Sequence, residues 1–330
     1  MHKYKKTLKV GINGFGRFGV HFLKYWLERH EKCNFNIIFI NDEILKPNDI
    51  IKILKKDKFC KFYKAKFFLE NNILSITLPK GMRYEIKLFN KKIYTLPLLK
   101  KLDYLLECSG KFTEKKSFKK LLVNKKIKIL ISATSWDCDQ TIVYGFNHKS
   151  IKKTSRVISY GSCTVNAYVP LANYINKEFK IIDSDVNVIH NIQTYKLSDF
   201  NTLNRKFCTL EKSGPNLLNF VNKNNFTVNY TVIPYDGVSM IDFRFRVNKK
   251  INLQEFLKVF KKGIRNGMLK DLYSMIKFDT GPEVNKFTTS SSVFIENAVE
   301  IKNNSIYLHA YFDNENSVNR YYDLLNYISK

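Results

Sequence analysis

The sequence predicts two domains, a doubly wound α/β unit followed by an α+β unit with a mainly antiparallel sheet. Three observations carry this. A short apolar strand, Leu8-Lys-Val-Gly-Ile-Asn13, runs through a glycine-rich turn into an amphipathic helix. As far as Tyr160, apolar β-type runs alternate with helical patterns, as in a parallel sheet with helices on its faces. Beyond Cys163 the chain turns to longer runs of β-formers, several alternating apolar and polar, with few helices between them. At 330 residues it is long enough to bury two cores.

Each element follows from its local pattern. The first helix carries Phe22, Leu23, Trp26 and Leu27 on one face. A second strand, Phe35–Ile40, ends in Asn41-Asp42. A helical stretch over 48–55 precedes short strands around 67–69, 73–78 and 84–88. Asp103-Tyr-Leu-Leu-Glu-Cys-Ser-Gly110 reads as a buried parallel strand, and 127–132 and 141–145 repeat its style. A last strand ends at Tyr160, and a Gly-Ser turn passes it into a helix with Val165, Tyr168, Val169, Leu171, Ala172 and Ile175 at helical spacing. In the second half, 186–190, 226–233, 239–247, 290–295 and 306–312 read as strands. Helices are expected near 215–221 and 253–266, and an amphipathic helix over 319–328 closes the chain.

Composition narrows the function classes. Hydrophobic residues make up 44% of the chain, which places it among globular proteins, and no run approaches a membrane span. The basic N-terminus leads directly into a strand and lacks the apolar core of a signal peptide. Six cysteines are scattered without paired or metal-ligand spacing, which suits a reducing cytoplasm and no metal site. The formal charge is +27, but 47 of the 56 basic residues are lysines spread evenly along the chain. Without a nucleic-acid motif, that charge predicts nonspecific attraction to polyanions and no dedicated nucleic-acid site.

Two stretches carry chemistry. Gly14-Phe15-Gly16-Arg17-Phe18-Gly19 is a G-x-G-x-x-G sequence between strand and helix, the setting in which a Rossmann-type domain cradles a dinucleotide pyrophosphate. Asp42, at the end of the next strand, can accept hydrogen bonds from ribose hydroxyls, and its charge favours NAD over NADP. Ser109 and Gly110 fall at a strand end where they can touch the cofactor. In the second stretch, Val157-Ile-Ser-Tyr-Gly-Ser-Cys-Thr-Val-Asn166, Ser162 is a helix N-cap candidate. Cys163 then falls in the first turn, where unpaired N–H groups and the helix dipole stabilise a thiolate. His190, 27 residues on at the end of an apolar run, can serve as its base.

Together these motifs resemble the phosphorylating glyceraldehyde-3-phosphate dehydrogenase family, including its erythrose-4-phosphate relatives. The resemblance also rests on Ile131-Ser-Ala133, Ser162-Cys-Thr-Val-Asn166, the Cys163–His190 spacing, and Asp313-Asn-Glu315 with Asn319-Arg320. It implies an NAD-binding domain of residues 1–162, completed by a C-terminal helix over 314–330, and a catalytic domain over 163–313. It implies that Cys163 attacks an aldehyde, most directly glyceraldehyde 3-phosphate, to give a hemithioacetal. His190 takes the proton as hydride leaves for NAD, and inorganic phosphate releases the thioacyl enzyme. Asn314 matches the residue that holds the nicotinamide carboxamide, and Arg17 the loop arginine near the cofactor phosphates. Ser162, Thr164, Ser213, Gly214 and Arg205 are the residues expected at inorganic phosphate, and Gln193 stands where a threonine binds substrate phosphate. A cytoplasmic homotetramer is implied as well. The substrate half departs from the pattern: Val232 replaces an arginine, the interval after His190 is short, and Asn316-Ser-Val318 replaces Trp-Gly-Tyr. These departures admit the alternative of a noncatalytic NAD-binding paralogue with a regulatory role. They also raise the question whether Lys196, Arg244 or Arg246 stands in for the missing cation, or whether the two arginines only line an exposed sheet face.

Overall fold

The computed structural model describes residues 7–57, 60–62, 64–192, 205–235 and 238–330, which form two compact units. The first comprises residues up to Ile142, His148–Tyr160 and Tyr321–Lys330; the second holds Val143–Asn147 and Gly161–Arg320. The first unit contains β1 (Leu8–Asn13), α1 (Arg17–Arg29), β2 (Phe35–Asn41), α2 (Pro47–Lys56), β3 (Lys66–Glu70), β4 (Ile73–Thr77) and β5 (Arg83–Phe89). It continues with β6 (Tyr104–Glu107), α3 (Lys119–Leu122), β7 (Lys128–Ile131), β8 (Gln140–Thr141) and β9 (Val157–Ser159). The second contains α4 (Cys163–Phe179), β10 (Ile181–Ile192), α5 (Leu210–Leu217), β11 (Phe226–Pro234), β12 (Ser239–Val247) and α6 (Leu253–Asn266). Then come β13 (Tyr273–Ile276), β14 (Ser292–Ile295), β15 (Glu300–Lys302), β16 (Ser305–Phe312) and α7 (Asn314–Ser329), which contributes to both units.

The first sheet has the order β3-β4-β5-β2-β1-β6-β7-β9-β8. From β5 to β8 every pairing is parallel, and the β3–β4–β5 edge is antiparallel. Chain order reverses at β1, flanked by β2 and β6, so the carboxyl ends of β1 and β6 border the switch point where ligands of such sheets sit. All four residues of β6 are buried, as expected of a central parallel strand. Tyr321 of α7 seals one face of this unit. Its ring meets Phe18, Phe22 and Tyr160 edge-on at centroid distances of 5.1, 5.7 and 5.4 Å, and its hydroxyl donates to the Leu130 carbonyl (2.5 Å). The β3–β4 hairpin turns through Asn71-Asn72 with φ of 48° and 60°, and β15–β16 turns through Asn303-Asn304 with φ of 47° and 60°. These are two-residue loops of the type whose twist matches the strands, made with asparagine.

The second sheet runs β11-β10-β12-β16-β14-β13, with β15 beside β16. It is mixed: β10–β11 and β13–β14 are parallel, and the remaining pairs are antiparallel. One face carries the core, where Tyr168 of α4 packs on Phe226, Phe243 and Phe245. Pro170 lies inside α4 and cannot donate to the Asn166 carbonyl. The Tyr273 hydroxyl occupies that gap. It faces the carbonyls of Asn166 (3.1 Å) and Ala167 (2.9 Å) and accepts from the N–H of Leu171 (3.2 Å).

Most boundaries agree with the periodicities, and the helix over 253–266 and the strand over 239–247 do so residue for residue. The helix expected near 215–221 instead spans Leu210–Leu217, with Pro215 in its last turn rather than its first. Glu211 explains the shift: its carboxylate accepts the Cys208 N–H (3.0 Å) and so nucleates the helix before the proline. The closing helix starts at Asn314, as the resemblance implies and before the residue 319 that periodicity gives, because the Asp313 carboxylate accepts the Asn316 N–H in the first turn. The strand expected over 141–145 shortens to Gln140–Thr141, and β13 and β15 have no counterpart in the periodicities. Among the described residues no helix is long and apolar enough to cross a membrane.

Tyr273→Phe keeps the ring but strands the Leu171 N–H and two carbonyls inside the core. We expect a loss of about 1–3 kcal/mol in denaturant unfolding, the usual cost of an unsatisfied buried group.

Candidate functional site

The first unit places the glycine loop at the switch point. Gly14 has φ of +93°, and a Cβ there would lie 2.3 Å from the backbone nitrogen of Ser109, so the turn after β1 is pressed against the segment after β6. Gly16 is the N-cap of α1, a Cβ on it would meet nothing within 4 Å, and the first turn has neither a side-chain cap nor an acid. The start of α1 is therefore open beside Gly16 and free of opposing charge, which fits a pyrophosphate at a helix N-terminus. Gly19 packs so closely that a Cβ would sit 2.4 Å from the Gly14 carbonyl.

Asp42 sits just past β2, held by its N–H on the Phe89 carbonyl (3.1 Å). Its Oδ1 accepts the N–H groups of Ile44 (2.8 Å) and Leu45 (2.9 Å), and Oδ2 accepts that of Phe15 (2.7 Å). The carboxylate thus ties the second strand end to the glycine loop and keeps acceptor capacity on Oδ2 for a ribose hydroxyl. Phe15 contributes through its backbone, since its side chain is fully buried. Phe18 packs between Tyr160 and Tyr321. Arg17 holds both carboxylate oxygens of Asp57 at 2.8 Å. Ser109 and Gly110 are exposed just beyond β6, and Gly110 has φ of +71°.

In the second unit Cys163 is the first residue of α4. Ser162 caps that helix, its hydroxyl accepting the Val165 N–H (3.3 Å). The Cys163 Sγ lies 3.5 Å from His190 Nε2, and both residues are buried, at 9% and 8% exposure. His190 Nδ1 is 2.7 Å from the Asn191 carbonyl. A carbonyl only accepts, so Nδ1 carries the proton and the neutral ring turns its Nε2 lone pair toward the sulfur, as a base requires. Burial pushes the Cys163 thiol up to about 12, nearby Cys208 and Asp313 add to this, and the backbone N–H groups of Thr164 and Cys163 oppose it. Helix position alone therefore does not yield a free thiolate. Burial favours the neutral thiol–imidazole pair, and a charged sulfur is tolerated with the proton passed to Nε2.

A cluster of hydroxyls lies beside the cysteine. Ser162 Oγ is 3.1 Å from Thr164 Oγ1 and accepts the Thr209 hydroxyl at 3.1 Å; Thr164 Oγ1 is 3.6 Å from Cys208 Sγ. Thr209 was not anticipated, because the expected start of α5 at residue 215 left it in a loop; its place two residues before Glu211 was the available signal. Ser213 and Gly214 lie inside α5, where Gly214 sits against Phe226 and Ser213 is buried. The Arg205 guanidinium donates to the Val228 carbonyl (2.9 Å), and the residue bridges Thr231. Register pairs His190 with Val232, and the Tyr230 ring lies 5.7 Å from the imidazole. Arg244 and Arg246 occupy the face of β12 opposite the core, in ion pairs with Asp185 and Asp183. Gln193 and Lys196 lie outside the described residues, as does the side chain of Asn314.

The thiol–imidazole geometry generates a direct expectation. His190→Asn should slow alkylation of Cys163 by iodoacetamide at pH 7.5 by about tenfold or more, because the buried sulfur loses its proton acceptor. Unchanged alkylation kinetics would show that Nε2 does not assist.

Comparisons with known proteins cover both units. The family described as "Glyceraldehyde 3-phosphate dehydrogenase, NAD binding domain" matches residues 8–115. Glyceraldehyde-3-phosphate dehydrogenase of Cryphonectria parasitica is 26% identical, covering 98% of this chain and 98% of the relative. That of Sclerotinia sclerotiorum is 28% identical, covering 98% and 97%. Glyceraldehyde-3-phosphate dehydrogenase 4 of Caenorhabditis elegans is 26% identical, covering 97% and 98%. The chain is thus similar over nearly its whole length to glyceraldehyde-3-phosphate dehydrogenases, and the match to their NAD-binding domain supports NAD as its cofactor.

Proposed function

We propose that this protein oxidises an aldehyde through a thioacyl enzyme on Cys163, with inorganic phosphate as acyl acceptor and glyceraldehyde 3-phosphate as the leading substrate. The observation that carries the reading is the 3.5 Å approach of His190 Nε2 to Cys163 Sγ, with the imidazole oriented by the Asn191 carbonyl. Proton transfer to Nε2 activates the sulfur for addition to the aldehyde carbon. A soft thiolate adds readily and leaves readily, so two moderate barriers replace one high one. The imidazolium returns that proton to the oxyanion formed by addition, which gives the hemithioacetal, and the neutral ring takes the hydroxyl proton back as hydride leaves. NAD supplies the hydride acceptor for the oxidation step.

The Ser162–Thr164–Thr209 hydroxyls offer donors beside the sulfur, and they suit a phosphate arriving to cleave the thioester. The other end of the substrate meets Tyr230 and Val232, and Arg244 and Arg246 are committed to the opposite sheet face. A substrate phosphate therefore takes its cation from elsewhere, and an aldehyde panel decides whether it is required. The reading carries with it a cytoplasmic homotetramer, which sedimentation of the purified chain would test.

Reduction of NAD by purified protein should depend on both aldehyde and inorganic phosphate. Cys163→Ser should cut turnover by about three orders of magnitude or more while leaving NAD affinity within tenfold, as removal of a nucleophile does. Measurable NAD binding without turnover on any aldehyde would favour the noncatalytic paralogue. Asp42→Ala should relax the preference for NAD over NADP, measured as the ratio of their dissociation constants; an unchanged ratio would remove Asp42 from that role.

A further inference from the structure

One buried chain of polar side chains joins the carboxyl ends of β6, β1 and β2. Glu107, the last residue of β6, is 1% exposed. Its Oε2 accepts the Asn13 amide (2.6 Å), and Oε1 accepts both the N–H of Ser109 (2.8 Å) and the Ser109 hydroxyl. Asn13 Oδ1 in turn accepts Asn41 Nδ2 (2.8 Å), which also reaches the Lys91 carbonyl (2.9 Å). Lys91 closes the chain by donating its N–H to Asn41 Oδ1 (3.2 Å).

This arrangement suits a carboxylate and resists a carboxylic acid. Ionised, Glu107 is an acceptor facing three donors. A proton on Oε2 would confront the Asn13 amide, and Asn13 cannot flip because its oxygen already serves Asn41. A proton on Oε1 would confront the Ser109 N–H. The Ser109 hydroxyl is the group that can turn round, and its oxygen already accepts the Lys111 N–H (3.1 Å). Protonation therefore disturbs Ser109, whose backbone nitrogen forms the wall against which Gly14 turns.

We propose that Glu107 is the positioning residue of the dinucleotide site: it holds Ser109 against the Gly14 turn, and NAD binds the form in which this carboxylate is ionised. The inference rests on the assignment of NAD to this crevice. Burial pushes Glu107 up to about 7, nearby Glu43 adds to this, and the donors from Ser109 and Asn13 limit the rise. Cys108 and Tyr321 are driven by burial well above their ordinary values and stay neutral. Glu43 is paired with Lys111 (2.7 Å), Asp42 holds three N–H groups, and Arg17 is held by Asp57.

The sign follows. Glu107 is raised above the ordinary carboxylate range, so acidification from pH 8 to 6 protonates it, and binding at the lower pH must expel that proton. With a midpoint of about 7, the ionised fraction falls about tenfold between pH 8 and 6, and apparent NAD affinity falls with it.

The test is NAD binding to the full chain by calorimetry at pH 6, 7 and 8, in two buffers of different ionisation enthalpy. We expect about tenfold weaker binding at pH 6, with proton release on binding near pH 7. Glu107→Gln, which mimics the protonated form, should bind at pH 8 more weakly than the natural protein does at pH 6, with no pH dependence and no proton release. Ser109→Ala removes the hydroxyl donor yet keeps the N–H, and it should move the midpoint upward; this variant tests the idea even if Glu107→Gln fails to fold. A flat profile in the natural protein, or the natural slope retained in Glu107→Gln, would overturn the proposal while leaving NAD in place. No NAD binding at any pH would instead overturn the cofactor assignment on which it rests.

Discussion

A parallel sheet delivers the ends of all its strands to one edge, and the side chains there must be polar to meet a ligand yet are packed too tightly for water. The structure of the first unit follows from that conflict. Asn13, Asn41 and Glu107 are the residues that end β1, β2 and β6, all three are buried, and each satisfies the next. The Asp42 carboxylate does the same one residue further out, with the N–H groups of Phe15, Ile44 and Leu45. A buried polar network of this kind holds only when every member is paired. The glycine loop inherits its shape from these side chains as much as from its own glycines.

The second unit meets a similar conflict at Cys163. Reactivity asks for a charged sulfur and packing asks for a neutral one. The start of α4 supplies backbone N–H groups, but they do not outweigh burial. In the proposed reaction the imidazole of His190 reconciles the two by taking the proton within the pair, so that no net charge is buried. Two supports make this possible. The Asn191 carbonyl sets which nitrogen faces the sulfur, and the Tyr273 hydroxyl mends the helix where Pro170 interrupts it, about two turns beyond the cysteine.

The fold was legible wherever periodicity and composition agreed, as at Leu8–Asn13 with its glycine turn and at Leu253–Asn266 with its Asn252–Glu255 capping box. The Cys163–His190 pair was legible too, because a cap residue and a strand end locate side chains from local rules. What escaped notice depended on a reach across the fold. Thr209 joins Ser162 from 47 residues away, and Glu107 meets Asn13 from 94 residues away. Arg17 illustrates the reverse: its position in the motif suggests a phosphate partner, whereas Asp57, 40 residues distant, takes its guanidinium. Pro215 misled because a proline early in a helix is the commoner case, and Glu211 reverses that order here.

Among the described residues, glycine and asparagine hold most of the left-handed backbone positions, Lys180 and Asp271 being the others, and the two residue types are not interchangeable there. The two hairpin turns, at Asn71-Asn72 and Asn303-Asn304, need only a residue that accepts positive φ, and asparagine does so. Gly14 needs positive φ and also the absence of a Cβ, because Ser109 fills the space. Drift toward asparagine can therefore reach the hairpin turns at little cost. It cannot rewrite the loop. At Gly14 backbone touches backbone, and a side chain of any kind is excluded there.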